Sequence, residues 1–383
     1  MEKGGVKEGR YRKPALFAQG IARQQSQAVQ GIAILLMLYH HFFSDVGMYG
    51  DRLTFWNGEA VQRGAWFGKI CVGLFAFISG YGMFYVLRRQ EEDRFFPRLL
   101  TDYQAVLRQL LSVYRKYWLA FLLIPVPELL AGVREFEPGE FFSNLLAFSS
   151  TYQSTWWYMG QYVKMLLLLP LLELFFFPFQ DRRDKKRRLC FFIVLLTAAG
   201  AAAVAGLIWP PLGAFLLQTA KNLRISFLLP FGAGFLAARF RVYQRLGHKL
   251  EKPGRAGNAA AAGLALIATV GVRVRLADYA AYAEFDFLLV PVFVYGALTL
   301  LWLLPPVEKL FVWFGKQSAY MWLVHGFLYA RSWMWLTEYI HSGWLLYLVM
   351  AAASAAAALL LAAPGRIWRR HRAANRRKKA LDN

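Results

Sequence analysis

Apolar stretches of about 20 residues recur along the whole chain, broken by short polar stretches in which Lys and Arg predominate; 20 residues is the length a helix needs to cross hydrocarbon. The pattern predicts ten helices, near residues 27–44, 66–87, 114–132, 156–178, 188–208, 223–239, 256–272, 285–304, 311–331 and 341–363. The sixth is interrupted by Pro230, and the seventh is the Ala/Gly-rich run NAAAAGLALIATVGV. Two further stretches are amphipathic: GEFFSNLLAFSSTYQ (139–153) reads as a short interfacial helix with Phe141, Leu145, Leu146 and Phe148 facing lipid or protein. RLLTDYQAVLRQLLSV (98–113) has the same character on the opposite side. The small-residue run AAASAAAALLLAA (351–363) reads as close helix packing in lipid.

Composition agrees with this pattern. Of 383 residues, 57% are hydrophobic and 17% aromatic, and mean hydropathy is +0.33. The fold class is therefore all-α, a polytopic membrane protein of about ten transmembrane helices. The net charge of +22 would suit nucleic acid, but the basic residues sit between apolar runs and at the termini, with no soluble domain to carry a binding surface. Topology explains them better, because Lys and Arg concentrate in short cytoplasmic loops. Seven basic residues lie between Arg88 and Lys116, 181–188 reads DRRDKKRR, six lie in 239–255 and eight between Arg366 and Lys379. The intervening loops are poor: one Arg against three Glu in 133–155, one Lys in 209–222, none in 332–343. Rich and poor loops alternate when there are ten spans with both termini cytoplasmic. The expected organisation is a basic N-terminal segment (1–26), one membrane domain (27–363) and a basic tail (364–383). The first 24 residues lack the compact apolar core of a cleaved signal peptide. Cys71 and Cys190 form neither a disulfide framework nor a metal site.

Candidate chemistry begins with QGIAILLMLYHHFF (30–43), where His40 and His41 sit toward the expected outer end of the first span. They face headgroups or serve a site; spanning a bilayer needs neither. Lys69, in WFGKICVGLFAFISGYG, and Lys164, in TWWYMGQYVKMLLLLP, fall at similar depth. A charge near a helix centre costs roughly 2.5–3.5 kcal/mol on insertion scales, so each snorkels or faces a cavity. His325 lies near the centre of the ninth span, in FGKQSAYMWLVHGFLY with Ser318, either bonding across helices or lining the same cavity. Ser79, in ISGYGMFY, reads first as helix packing and second as chemistry. Arg115 and Lys116, in LSVYRKYW, are expected at the inner face, as anchors or as partners of a phosphate-rich ligand. Adjacent histidines diverge by about 100° on a helix and lack the i, i+4 spacing of a shared metal, so no metal is expected. No G-x-S-x-G elbow, phosphate loop or acidic pair appears, which leaves histidine as the candidate general base.

GIAILLMLYHHFF, FAFISGYGMFY, YRKYWLAFLL, WWYMGQYV and FGKQSAYMWLVH, in that order over residues 27–363, resemble the acyltransferase 3 family of integral membrane acyltransferases. The resemblance implies transfer of an acyl group, commonly acetyl, from acyl-CoA made inside to a hydroxyl of a glycan or other exported envelope molecule, in a bacterial inner membrane. The family's first-span motif is a basic residue, ten residues, then an essential histidine. Gln30 occupies the basic position here and His41 the histidine position, so the resemblance makes His41 the catalytic residue, with His40 next to it. Arg115 and Lys116 would meet the coenzyme's phosphates, and Lys69, Ser79, Trp157, Lys164 and His325 would line the cavity. His41 would act as general base or as an acyl carrier. Two other readings stay open from sequence: a transporter or flippase with the same cavity, and a non-catalytic member, for which Gln30 is the argument. Oligomeric state and acceptor identity are not legible.

Overall fold

The structure, a computed structural model, describes residues 16–89, 92–221, 223–249, 254–278 and 282–381; residues 1–15 of the basic N-terminal segment and the last two of the tail lie outside them. The described residues form helices and no strands, in the order α1 (Arg23–Phe43), α2 (Gly58–Gly68), α3 (Cys71–Arg88), α4 (Phe95–Leu123), α5 (Pro125–Leu130), α6 (Pro138–Leu145), α7 (Trp157–Phe176), α8 (Arg182–Ile208), α9 (Pro210–Lys221), α10 (Ile225–Arg239), α11 (Val242–Lys249), α12 (Gly254–Leu276), α13 (Asp286–Leu303), α14 (Pro305–Leu336) and α15 (Gly343–Leu381).

Eight of the ten expected spans each lie on one helix; 66–87 crosses the junction of α2 and α3, and 114–132 the break between α4 and α5. Six helical stretches among the described residues are long and apolar enough to cross a membrane: 58–88, 154–176, 182–208, 254–276, 283–303 and 343–365. A seventh is counted if α1 is joined to the 3₁₀ segment Val46–Arg52, which turns from it by 66°. The remaining long helices, α4 and α14, carry charges along their length, and α10 is short. α15 continues through Pro364 to Leu381, so the expected tail begins inside a helix.

The third span is where the structure corrects the sequence reading. Residues 98–113 and the start of the expected span at 114 are one continuous helix, α4, 29 residues long, which stops at Ile124 ahead of Pro125. It buries Val106, Leu110, Tyr117 and Phe121, at helical spacing, and exposes Leu100, Leu107 and Leu111. Near its start Arg98 pairs with Asp102 at 3.1 Å and with Glu173 of α7 at 3.4 Å, while Arg239 of α10 stands 3.8 Å from the same Glu173. Near its end the ring of Tyr117 lies 4.8 Å from that of Trp156, just before α7. α4 is therefore antiparallel to α7 along nearly its full length, and one buried charge cluster ties α4, α7 and α10 at one end.

Two helix pairs make the closest contacts, and glycine is the reason. A side chain at Gly31 of α1 would run into the Phe311 carbonyl of α14, and one at Gly315 of α14 into the Gln27 carbonyl of α1. Gly80 of α3 and Gly234 of α10 meet in the same reciprocal way, over the carbonyls of Phe231 and Phe77. With no Cβ, backbones approach closely enough for Cα–H to carbonyl contacts, which replace the hydrophobic drive that lipid cannot supply. The first of the two paired glycines in ISGYG is thus a packing residue. Both pairs run parallel: beyond the Gly31–Gly315 crossing, His41 and His325 meet again, and on α3 and α10, Phe75 and Phe227 both pack on Tyr158.

Candidate active site

α1 supplies the first wall. Residues 30, 37 and 41 recur at i, i+7 and i+11, and eleven steps of 100° return almost to the starting direction. Gln30, Met37 and His41 consequently form one stripe about 16 Å long, and all three line a cavity of about 230 Å³. His40, Lys69, Ser79, Trp157, Arg224, Ser318 and Trp322 line it as well, with the aromatic rings of Phe75, Tyr158 and Tyr162. No carboxylate is among the described lining residues. Of the residues singled out in the sequence, His40, His41, Lys69, Ser79 and Trp157 are thus brought together; Lys164 and His325 do not line this cavity.

His40 and Lys69 are positioned by the junction between α2 and α3. α2 ends at Gly68 and α3 begins at Cys71, so Lys69 sits at an interruption whose carbonyls need donors. His40 Nδ1 bonds the Ala65 carbonyl at 2.8 Å. Arg273 of α12 donates through Nη1 to the carbonyls of Trp66 and Phe67 at 2.7 and 3.0 Å. Its Nε and Nη2 are held by Asp286 of α13 at 2.7 and 3.0 Å, and both side chains are buried. Gly68 permits the approach of α1: a Cβ there would come 2.8 Å from the Leu36 carbonyl and 3.3 Å from His40 Cβ.

The opposite wall is pinned by two indoles. Trp156 Nε1 donates to the Leu323 carbonyl at 3.0 Å, and Trp322 Nε1 donates back to the Thr155 carbonyl at 3.1 Å. Of the Trp-Trp pair, Trp156 is the buried anchor and Trp157 the cavity residue, with the Arg224 guanidinium 4.0 Å over its ring. His325 lies behind the wall, 1% exposed, with its ring centre 5.1 Å from that of His41; His41 and His40 are 5.3 Å apart. Among the described residues no group of three His, Cys, Asp or Glu is placed to hold a metal ion.

Arg115 and Lys116 are elsewhere than expected. They lie twenty residues into α4, near the end where Tyr117 packs on Trp156, so they share the level of the histidines rather than the opposite face of the bundle. Neither lines the cavity, and Arg115 is exposed. The helix passes through this charged pair because Arg108, Leu111 and Arg115 share its outer face. The rest of the YRKYW segment is structural. Tyr114, Tyr117 and Trp118 donate to the carbonyls of Leu146, Asn144 and Leu145, which closes the C-terminus of α6.

A family model for an acyltransferase domain matches residues 25–363. The chain belongs to the acyltransferase 3 family. The match covers the membrane bundle and every residue lining the cavity, and with the apolar helices it makes this a multi-pass membrane protein of an acyltransferase family. No curated protein and no solved structure matches the chain.

Arg224, Arg273, Asp286, Trp156 and Trp322 are among the site residues that sequence reasoning passed over. Arg273 fell one residue past the expected end of the seventh span, whereas α12 runs on to Leu276. An Arg and an Asp at the facing ends of consecutive spans, thirteen residues apart, was the available signal.

Proposed function

We propose that this acyltransferase 3 member moves an acyl group, acetyl being the expected one, from acyl-CoA to a hydroxyl of an exported glycan or similar envelope acceptor, in a bacterial inner membrane. The observation that carries the reading is the stripe of Gln30, Met37 and His41 along one wall of a cavity that also gathers His40, Lys69 and Ser79. A hydroxyl is a weak nucleophile at neutral pH. His41 takes its proton while the oxygen attacks the thioester carbonyl; the carbon–sulfur bond then breaks and the proton leaves with the thiol. Attack by His41 itself, forming an acyl-imidazole that the hydroxyl then resolves, uses the same residues. Lys69 is the cation on the wall suited to the oxygen that becomes negative.

In this reading the donor threads its arm along the stripe from the Gln30 end toward His41. With Arg115 and Lys116 outside the cavity, Lys69 and Arg224 are the cations of its wall that would meet anionic groups of donor or acceptor. Trp157, Tyr158 and Trp322 are the aromatic side chains of the wall that a sugar acceptor would pack against in this reading.

The test is release of free coenzyme A from acetyl-CoA by purified protein in liposomes, with envelope extract as acceptor, comparing wild type with His41→Ala and His40→Ala. Turnover abolished in His41→Ala and retained in His40→Ala supports the reading. Acceptor movement across the bilayer without coenzyme A release would replace it with transport.

A further inference from the structure

His325 is the polar group of this region to which the reading above gives no role. α14, which carries it, is fixed to α1 at two levels: at the Gly31–Gly315 crossing, where the backbones touch, and ten residues further along each helix, where His41 and His325 meet. The imidazole is held on one side by its own helix. Nδ1 lies 2.6 Å from the Trp322 carbonyl, and a carbonyl only accepts, so Nδ1 carries the hydrogen. In a neutral imidazole the other nitrogen is then an acceptor. That nitrogen, Nε2, is buried and has no hydrogen-bond partner among the described residues. An acceptor left bare in such a place is unusual. The ring beside it is that of His41, 5.1 Å centre to centre with the planes at 36°.

We propose that His325 is the positioning residue of His41: with substrates bound, its bare Nε2 accepts a hydrogen bond from one nitrogen of the neighbouring His41 ring and so presents the other nitrogen, with its lone pair, to the cavity. This rests on His41 being the reacting imidazole. The arrangement does for His41 what the third member of a catalytic triad does for its histidine, fixing tautomer and orientation, but with a neutral acceptor. No charge is buried, as a carboxylate in this position would require. During transfer the acceptor hydroxyl's proton moves to the cavity-facing nitrogen of His41. The other ring proton stays shared with His325, which remains neutral, and the first proton departs with the coenzyme A thiol. The His325 ring is itself held still, because Trp322 is tied to Thr155, and Leu323 to Trp156, on the neighbouring wall.

Three side chains at position 325 separate the parts of the claim. Asparagine keeps a donor where Nδ1 bonds Trp322 and lacks the distal acceptor. Glutamine places an oxygen near the Nε2 position. Phenylalanine removes both. His325→Asn is expected to stay folded and lose about 100-fold in kcat with KM for acetyl-CoA within about two-fold, and His325→Gln to recover about ten-fold of that loss. Full-length protein labelled with ¹⁵N-histidine, in liposomes, gives a readout that does not need turnover: His325 is expected protonated at Nδ1 and bare at Nε2, and the His41 resonances are expected to shift in His325→Asn. Wild-type kcat in His325→Asn, a loss confined to KM, or a proton found on Nε2 of His325 would each overturn the proposal. If wild type releases no coenzyme A, acyl transfer fails as the function, and the tautomer and the His41 shift still decide whether the two imidazoles are joined. Should His325→Asn not fold, the wild-type spectrum and the Gln variant carry the decision.

Discussion

Replacing Arg273 with methionine isolates what the buried ion pair does for the site. The guanidinium is fully buried and donates two hydrogen bonds to Asp286 and two to the carbonyls that end α2. Methionine fills much of the same volume and leaves Asp286, 1% exposed, as a charge without its guanidinium. Breaking a buried pair from one side costs about 3–5 kcal/mol, and Asp286→Leu should cost a similar amount from the other. The double variant Arg273→Met/Asp286→Leu buries neither charge. Its remaining loss is the two carbonyls, about 1 kcal/mol each, so it should be roughly 2 kcal/mol less stable than wild type and more stable than either single variant. Activity should not follow stability. Without the guanidinium's bonds to Trp66 and Phe67, the junction that carries Lys69 keeps only backbone hydrogen bonds at those carbonyls, so the double variant should refold well and turn over poorly. Equilibrium unfolding in mixed micelles, read by tryptophan fluorescence, gives the first quantity and coenzyme A release the second. Losses that simply add in the double variant, or a double variant with wild-type turnover, would refute the reasoning.

Gly315→Leu should force α14 from α1 and lower stability by about 1–3 kcal/mol, the usual cost of overpacking, while also abolishing turnover because the histidines lie further along the same two helices; the same two assays check it. Trp156→Phe should lose the bond to the Leu323 carbonyl, about 1 kcal/mol, and raise KM more than it lowers kcat, since it loosens a cavity wall; wild-type kinetics would show that the indole is not needed there. Arg115→Gln and Lys116→Gln, each outside the cavity, should leave KM for acetyl-CoA within about two-fold of wild type, and a large rise would return the donor's phosphates to that pair.

What the sequence carried was periodicity, and periodicity predicted the helices well. It placed the third span too late because a charged pair was taken as the membrane boundary. Arg115 and Lys116 stand on a helix that had begun at Phe95, and a charge marks a helix's exposed face as readily as its end. The same rule hid Arg273, whose charge is cancelled by a residue on the next helix. Trp157 came only with the resemblance; His40, His41, Lys69 and Ser79 were legible because a polar group in an apolar run needs a reason. Trp156 was not, because an indole in a membrane protein needs none; only its bond to a carbonyl on α14, 167 residues away in the chain, shows what it holds.

Physical cost also separates scaffold from site within the bundle. Charges in the scaffold are set against opposite charges, Arg98 and Arg239 against Asp102 and Glu173 and Arg273 against Asp286, although single atoms of Asp102, Glu173 and Arg239 make no hydrogen bond, and the tyrosines and tryptophan of YRKYW are answered by the end of α6. The imidazoles are answered only in part. His40 and His325 each commit Nδ1 to a carbonyl, and Nε2 of His325 is left bare beside the ring of His41. A fold selected only for stability would have placed apolar rings here, as it did at the next two positions with Phe42 and Phe43, both buried. Hydrogen-bonding capacity retained beside a cavity, on helices locked together by glycine contacts, is the arrangement expected of groups that must move a proton without moving themselves.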